Sequence, residues 1–213
     1  MDKYWEEKRK LLLEMTRRSY REALFAGTSG NLSIYDPERE LMLITPSSIP
    51  YETMTEQDLV LMRLDGEIAE GTMRPSSEWR MHAFVYRERK DVLAILHTHS
   101  PYATSFAVNN EKIPIILIEM VPFLGGEVPL AEFALPGTDS VGEEAVKVLE
   151  GHETCLMANH GVLAIGTSLE QAHIRAVYVE DAAKIYSLAK SNGKVCEVPE
   201  KYVKIMQQRR QNK

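Results

Sequence analysis

Apolar residues recur at helical spacing in the first part of the chain. Between Tyr4 and Phe25 they alternate with charged residues three to four positions apart, which predicts an amphipathic opening helix that ends near Gly27. A second long segment, Leu169 to Ala189, predicts a closing helix. Shorter helices are predicted from Ser76-Ser77-Glu78 to Tyr86, with a serine as cap, over Pro101 to Val108, and over Ser140 to Leu149.

Between these helices lie short apolar runs bounded by turn residues, which are typical of strands. Two hairpins are predicted, Leu32 to Tyr35 with Leu41 to Ile44, and Leu59 to Leu64 with Glu67 to Ala69 around Asp65-Gly66. Further extended segments are predicted at Val92 to Leu96, Ile113 to Ile118, Thr154 to Met157 and Val162 to Ile165. No repeat or linker interrupts the pattern, so residues 1–213 are predicted to form one α/β domain, a mostly antiparallel sheet covered by helices.

Composition and charge narrow the range of functions. With 44% hydrophobic and 26% charged residues, the chain has enough apolar side chains for a core. Its net charge of −6 disfavours nucleic acid and anionic membranes as partners, and no apolar stretch reaches the about 20 residues needed to cross a bilayer. The two cysteines lack metal or disulfide spacing, which favours a reduced, cytoplasmic setting.

Histidines provide the sharpest chemical signal. His97 and His99 follow an apolar strand, and residues i and i+2 of extended backbone point to the same side, so their imidazoles can converge on one ion. His160, in a polar turn between two predicted strands, is the third candidate. Three imidazoles with an open coordination position are typical of a catalytic divalent metal, with zinc favoured and manganese, cobalt or iron as alternatives.

The other histidines are weaker candidates for ligands of the same metal. His82 lies one helical turn after Glu78 and is a rival ligand, but its apolar neighbours favour a half-buried structural histidine. His152 and His173 are predicted at the surface.

Three small polar loops provide hydroxyl and backbone donors suited to a phosphate monoester. They are Thr28-Ser29-Gly30-Asn31, Thr45-Pro46-Ser47-Ser48 and Ser76-Ser77. Each alone is more often an ordinary turn or cap than a phosphate site. No Walker-type or dinucleotide-binding glycine motif is present, which disfavours nucleotide binding.

In this order and spacing the motifs resemble those of the class II aldolase/adducin family, and the resemblance is strongest to its members that act on deoxyketose 1-phosphates such as L-fuculose 1-phosphate. It covers about Met15 to Ala189 and rests on Gly27-Thr28-Ser29-Gly30-Asn31, Thr45-Pro46-Ser47, Pro75-Ser76-Ser77-Glu78, His97-Thr98-His99 and Asn159-His160-Gly161. It implies a three-layer sandwich and a homotetramer of fourfold symmetry with active sites at subunit interfaces.

Carried over position by position, the resemblance implies roles for individual residues. His97, His99 and His160 would bind one zinc ion per chain, and Glu78 would be a catalytic carboxylate that also contacts the metal. The phosphate would be held by Thr28, Gly30, Asn31, Ser47, Ser48, Ser76 and Ser77. Ser48 departs from the glycine that is usual in the second loop.

Two acidic residues distinguish activities within the superfamily. Glu78 favours an aldolase, because ribulose-phosphate 4-epimerases carry aspartate there. Glu119 stands where the fuculose-type enzyme has a tyrosine that protonates the aldehyde oxygen, and it is similar to the glutamate base of methylthioribulose-phosphate dehydratases, which lack the Ser-Ser-Glu pattern. Glu119 is therefore a candidate second acid–base group, with Tyr202 as the alternative, or else a surface acid on an edge strand.

The expected function is cleavage of a deoxyketose 1-phosphate, of the L-fuculose or 5-deoxyribulose type, into dihydroxyacetone phosphate and a short aldehyde. A methylthioribulose-1-phosphate-type dehydratase, a ribulose-phosphate epimerase and an adducin-like interaction scaffold are the alternatives. The tail, about residues 195–213, fits no clear pattern and would cap a neighbouring subunit's site.

Overall fold

One sheet of eight strands organises the protein within residues 3–211, the part of the chain that the computed structural model describes. The strands are β1 (Asn31–Asp36), β2 (Leu41–Ile44), β3 (Val60–Met62), β4 (Ile68–Glu70), β5 (Ala94–Thr98), β6 (Leu130–Ala131), β7 (Thr154–Met157) and β8 (Gly161–Gly166). Their order across the sheet is β4-β3-β2-β1-β5-β8-β7-β6. All neighbours are antiparallel except β6 and β7, which confirms the predicted mostly antiparallel sheet.

Helices cover both faces of the sheet and give the predicted three-layer sandwich. They are α1 (Lys3–Arg21), α2 (Trp79–Glu88), α3 (Pro101–Val108), α4 (Met120–Leu124), α5 (Asp139–Val148), α6 (Leu169–Asn192) and α7 (Glu200–Gln211). No helix in this part of the chain is both long and apolar enough to cross a membrane.

Side-chain alternation along the strands sorts the core into two sides. In β1, Leu32 and Ile34 join the cluster with α1 and α6, whereas Tyr35 packs against the cluster that contains α2 and α5. The central strands β5 and β8 are buried on both faces and therefore read as continuous apolar runs. The candidate site lies where these two buried strands meet, at the end of β5 and the start of β8.

One strand prediction was wrong. The segment Ile113 to Ile118 is not a strand: only Ile113 forms an isolated bridge, to Val128, and the apolar side chains that follow pack against the α3–α6 side of the core from irregular backbone. The unclear tail contains α7, which packs against α4, and Asn212 and Lys213 lie outside the described residues.

His173 is buried, not at the surface as predicted. Its Nδ1 lies 3.0 Å from the hydroxyl of Ser19, and its Nε2 lies 2.8 Å from a carboxylate oxygen of Glu22. The prediction failed because α6 packs against α1 at this level, so the side of α6 that carries a polar residue still faces protein.

Candidate active site

Three histidines meet at the end of β5. His97 is the next-to-last residue of the fully buried β5, opposite Asn31 of β1 and Leu163 of β8. His99 follows directly, and His160 lies in the turn between β7 and β8. Gly161 allows this close approach, because a Cβ there would lie 3.2 Å from both the His97 and His99 rings and closer still to the Thr98 carbonyl oxygen.

The imidazole nitrogens converge. One nitrogen from each of the three rings lies within 4.8 Å of the others, and the Nε2 atoms of His97 and His99 are 2.9 Å apart. The Nδ1–H of His97 donates to the Val162 carbonyl oxygen at 2.9 Å, so the Nε2 of this ring carries its lone pair. Such a second hydrogen bond is typical of metal-binding histidines, and the cluster could hold a metal ion.

Burial favours the neutral form of these rings. It lowers the pKa of His160 to about 4 and also lowers the pKa of His99. The pKa of His97 falls well below its usual value through burial and through repulsion from the other two rings. Neutral imidazole is the form that binds metals, so burial keeps all three rings in the form that a cation would need at neutral pH.

Glu78 stands beside the cluster at the start of α2. Its Oε2 lies 3.6 Å from His160 Nε2 and is buried with no hydrogen-bond partner among the described residues. Burial raises the pKa of Glu78, and a hydrogen bond from the Gly137 backbone opposes this shift. A buried carboxylate oxygen without a partner next to three imidazoles fits a donor set for a divalent cation.

The start of α2 differs from the prediction. The residue at the N-cap position is Glu78, not a serine, and Ser76 accepts a hydrogen bond from the Glu78 backbone N–H at 3.3 Å. The serine therefore supports the backbone that carries the carboxylate instead of capping the helix in the usual way.

The three polar loops line one cavity together with Glu78 and two of the histidines. The cavity has a volume of about 300 Å³. Its walls are formed by Thr28, Ser29, Gly30, Asn31, Pro46, Ser47, Ser48, Ser76, Ser77, Glu78, His99 and His160. His97 lies behind this surface, in contact with His99 and His160.

Backbone hydrogen bonds hold the second and third loops together. Pro46 and Pro75 form an antiparallel bridge, Ser47 N–H donates to the Arg74 carbonyl oxygen at 2.9 Å, and Ser76 N–H donates to the Thr45 carbonyl oxygen at 3.0 Å. The backbone N–H groups of Ser47 and Ser76 are therefore occupied, and the cavity wall at these two residues offers their hydroxyl groups.

Tyr51 was not among the predicted site residues, although it holds the first loop in place. Its buried hydroxyl accepts from Gly30 N–H at 2.9 Å and donates to the Gly30 carbonyl oxygen at 2.5 Å. Gly30 also leaves no room for a side chain, because the Phe25 ring occupies the position of a Cβ. No local sequence signal marks Tyr51, since its partner lies 21 residues away.

Ser48 has a left-handed backbone, with φ of +62°. A left-handed φ favours glycine, the residue that the resemblance led us to expect at this position of the loop. Ser48 adopts this unfavourable backbone conformation and adds a hydroxyl group to the cavity wall, 3.3 Å from the hydroxyl oxygen of Ser47.

Glu119 and Tyr202 do not line the cavity in a single chain. Glu119 is exposed and lies at the N-cap position of α4, so it is a surface acid in one chain but does not lie on an edge strand, as the alternative interpretation had it. Tyr202 lies on α7 with half of its surface exposed.

Comparison with known proteins gives consistent matches. The model of the family described as "Class II Aldolase and Adducin N-terminal domain" matches residues 10–187. The chain is 34% identical over 195 residues to the 5-deoxy-D-ribulose 1-phosphate aldolase of Bacillus thuringiensis serovar kurstaki, covering 92% of this chain and 91% of the relative. It is 36% identical over 174 residues to the L-fuculose phosphate aldolase of Escherichia coli K12, covering 82% and 78%. A solved L-fuculose 1-phosphate aldolase superimposes with a TM-score of 0.89 at 38% identity, covering 94% of each chain.

Proposed function

Because the chain belongs to the class II aldolase and adducin family, we propose that this aldolase cleaves a deoxyketose 1-phosphate into dihydroxyacetone phosphate and a short aldehyde, using a zinc ion. The observation that carries the proposal is the meeting of three imidazoles and Glu78 at one end of a cavity walled by hydroxyl groups. The named relatives are aldolases, and this supports catalysis over an adducin-like scaffold role.

His97, His99 and His160 would hold the metal, which is proposed to be zinc, with manganese, cobalt or iron as substitutes. A bound divalent ion would stabilise the negative charge that develops on substrate oxygen as the carbon–carbon bond breaks. The fixed tautomer of His97 supports this assignment, because its Nδ1–H is committed to Val162.

Glu78 is the proposed proton carrier. Bond cleavage leaves a carbanion on the dihydroxyacetone phosphate half, and a positioned acid must return a proton to that carbon. A carboxyl group whose pKa is raised by burial holds a proton closer to neutral pH than an exposed one, and Glu78 has this property beside the metal ligands. The Gly137 backbone orients the same side chain.

The phosphate group is proposed to lie against Thr28, Gly30, Asn31, Ser47, Ser48, Ser76 and Ser77. No lysine or arginine is among the cavity-lining residues that the structure describes, so from this chain neutral donors and the metal would supply the attraction for the anion. Anchoring the phosphate away from the reacting carbon would place the scissile bond beside Glu78.

The second acid–base group is proposed to be Glu119, with Tyr202 as the alternative. Both are exposed in one chain, which is consistent with action on a neighbouring subunit's cavity in a cytoplasmic homotetramer. The tail, including α7, would cap that neighbouring cavity.

A coupled assay for dihydroxyacetone phosphate tests the proposal on L-fuculose 1-phosphate, 5-deoxyribulose 1-phosphate and a methylthio analogue. We expect release of dihydroxyacetone phosphate from at least one of these substrates, loss of activity with a chelator and recovery with zinc. Glu78→Gln should lower kcat by about 10²- to 10⁴-fold. Glu88→Gln, an exposed acid on the same helix, is the matched control and should leave kcat unchanged.

The same assay separates the other activities. Glu119 favours a dehydratase as the second candidate, which would form a diketone and no dihydroxyacetone phosphate. An epimerase would return an isomeric ketose phosphate. Full activity in protein shown by elemental analysis to be free of metal would refute the metal-dependent mechanism.

A further inference from the structure

A chain of buried polar groups runs from the cavity wall into the core between β1 and α2. The Nε2 of His82 lies 2.6 Å from Asn31 Oδ1, and its Nδ1 lies 2.6 Å from the Ser33 hydroxyl. The Ser33 hydroxyl lies 2.7 Å from the hydroxyl of Tyr86. Ser33, His82 and Tyr86 are fully buried, and only Asn31 reaches the cavity.

The Asn31 amide oxygen and the neutral His82 ring decide the direction of the two hydrogen bonds that His82 makes. Asn31 Oδ1 can only accept, so His82 Nε2 carries the proton. Burial lowers the pKa of His82 to about 3, so the ring is neutral and its Nδ1 accepts from the Ser33 hydroxyl. The Tyr86 hydroxyl donates to the Ser33 carbonyl oxygen at 3.1 Å and lies against the Ser33 hydroxyl, so it closes the buried end of the chain.

This chain determines which end of the Asn31 amide faces the cavity. Because Oδ1 is held by His82, the group that Asn31 offers to the cavity is its NH2, a donor. Without His82, rotation of the amide by 180° would present the oxygen instead and repel an anion. A cavity wall without lysine or arginine makes the orientation of each neutral donor important.

Resting on the proposed function, we propose that His82 is a positioning residue that orients the Asn31 amide as a hydrogen-bond donor to the substrate phosphate. His82 itself does not line the cavity. It lies one helical turn after Glu78, so α2 carries both the proposed proton carrier and the group that sets phosphate recognition.

Two substitutions separate this role from simple packing. The side-chain amide of glutamine can take the position of the imidazole Nε2, whereas asparagine reaches only the position of Nδ1. His82→Gln therefore keeps a donor for Asn31, and His82→Asn does not. The probe is sn-glycerol 3-phosphate, a phosphate monoester without a carbonyl, which binds without being cleaved, and its affinity for the metal-loaded full chain is measured by calorimetry.

We expect His82→Gln to bind the probe within about threefold of the original protein and His82→Asn to bind it about tenfold more weakly, the loss of one hydrogen bond to a charged group. The difference between the two variants should vanish in an Asn31→Ala background, and kcat at saturating substrate should change little. Metal content and the unfolding midpoint of each variant check that the fold is retained.

Equal affinity in the two His82 variants, or a difference that persists in the Asn31→Ala background, would overturn the positioning role while leaving the aldolase proposal intact. If the unsubstituted protein does not bind the probe, the phosphate-binding role of the cavity is wrong, and the positioning role fails with it.

Discussion

Replacing Gly30 by alanine probes how tightly the first polar loop is held. The new Cβ would lie 2.7 Å from Phe25 Cγ and closer still to two other ring carbons, whereas carbon atoms pack comfortably at about 3.5–4.0 Å. The ring cannot move away freely, since it is buried and packs against Tyr51 with 4.9 Å between ring centroids. Tyr51 in turn is hydrogen-bonded to Gly30 itself.

The cost of such overpacking is about 1–3 kcal/mol. A loss of about 2 kcal/mol in a chain of this size lowers the unfolding midpoint by about 4–8 °C, which thermal unfolding followed by circular dichroism resolves easily. The displaced loop should also raise the KM for the phosphorylated substrate more than it lowers kcat, because the loop lines the proposed phosphate end of the cavity.

Phe25→Ala provides the matching background. It removes the ring that the alanine at position 30 would strike, so Gly30→Ala should cost much less there than in the original chain, and the double-mutant cycle should show a coupling of at least about 1 kcal/mol. An unchanged cost in both backgrounds would show that the Phe25 ring is not the obstacle and would refute this account of Gly30.

Four further outcomes are expected. Tyr51→Phe leaves the Gly30 backbone groups without their partner and should lower the free energy of unfolding by about 1–3 kcal/mol in urea titration. An unchanged value would show that the Tyr51 hydroxyl does not hold the first loop in place. Ser48→Gly relieves a left-handed φ and should stabilise the fold by about 0.5–1 kcal/mol, whereas Ser47→Gly, the control, should not. The pKa of His82 is about 3 in the folded chain and about 6.5 in the unfolded chain, so between these values the proton binds mainly to the unfolded chain. The free energy of unfolding should therefore fall as pH drops below about 6.5, by about 2 kcal/mol at pH 5. His82→Gln should lose this part of the pH dependence, and an equal pH dependence in both proteins would refute the buried, neutral state of His82. Removing the metal with a chelator should lower the unfolding midpoint, since a ligand at 1,000 times its Kd stabilises the fold by about 4 kcal/mol; an unchanged midpoint would contradict metal binding by the folded chain.

Features that depend on local periodicity could be predicted from the sequence. The pairing of β1 with β2 and the helical extent of α3 follow from short-range patterns, and both match the structure. The same is true of His97 and His99, whose convergence requires only extended backbone after an apolar run. His160 joins them because Gly161 permits a tight approach, and the sequence already places that glycine in a turn.

Features that depend on distant partners could not be predicted in this way. His82 has apolar neighbours in the sequence, and its full burial reflects Asn31 and Ser33, about fifty positions earlier. Tyr51 acts on Gly30 across a loop, and no periodicity reports that contact. The apolar segment from Ile113 imitates a strand, because burial against a helical layer selects the same residue types as a sheet does.

The cavity wall that one chain provides, without lysine or arginine among the described residues, has a practical consequence for covalent probes. Amine-directed esters and guanidine-directed glyoxals have no target on this surface, so inactivation by such reagents would report on residues outside it. Labels aimed at the cavity itself need reagents that react with imidazole, with the Glu78 carboxyl group or with serine and threonine hydroxyls.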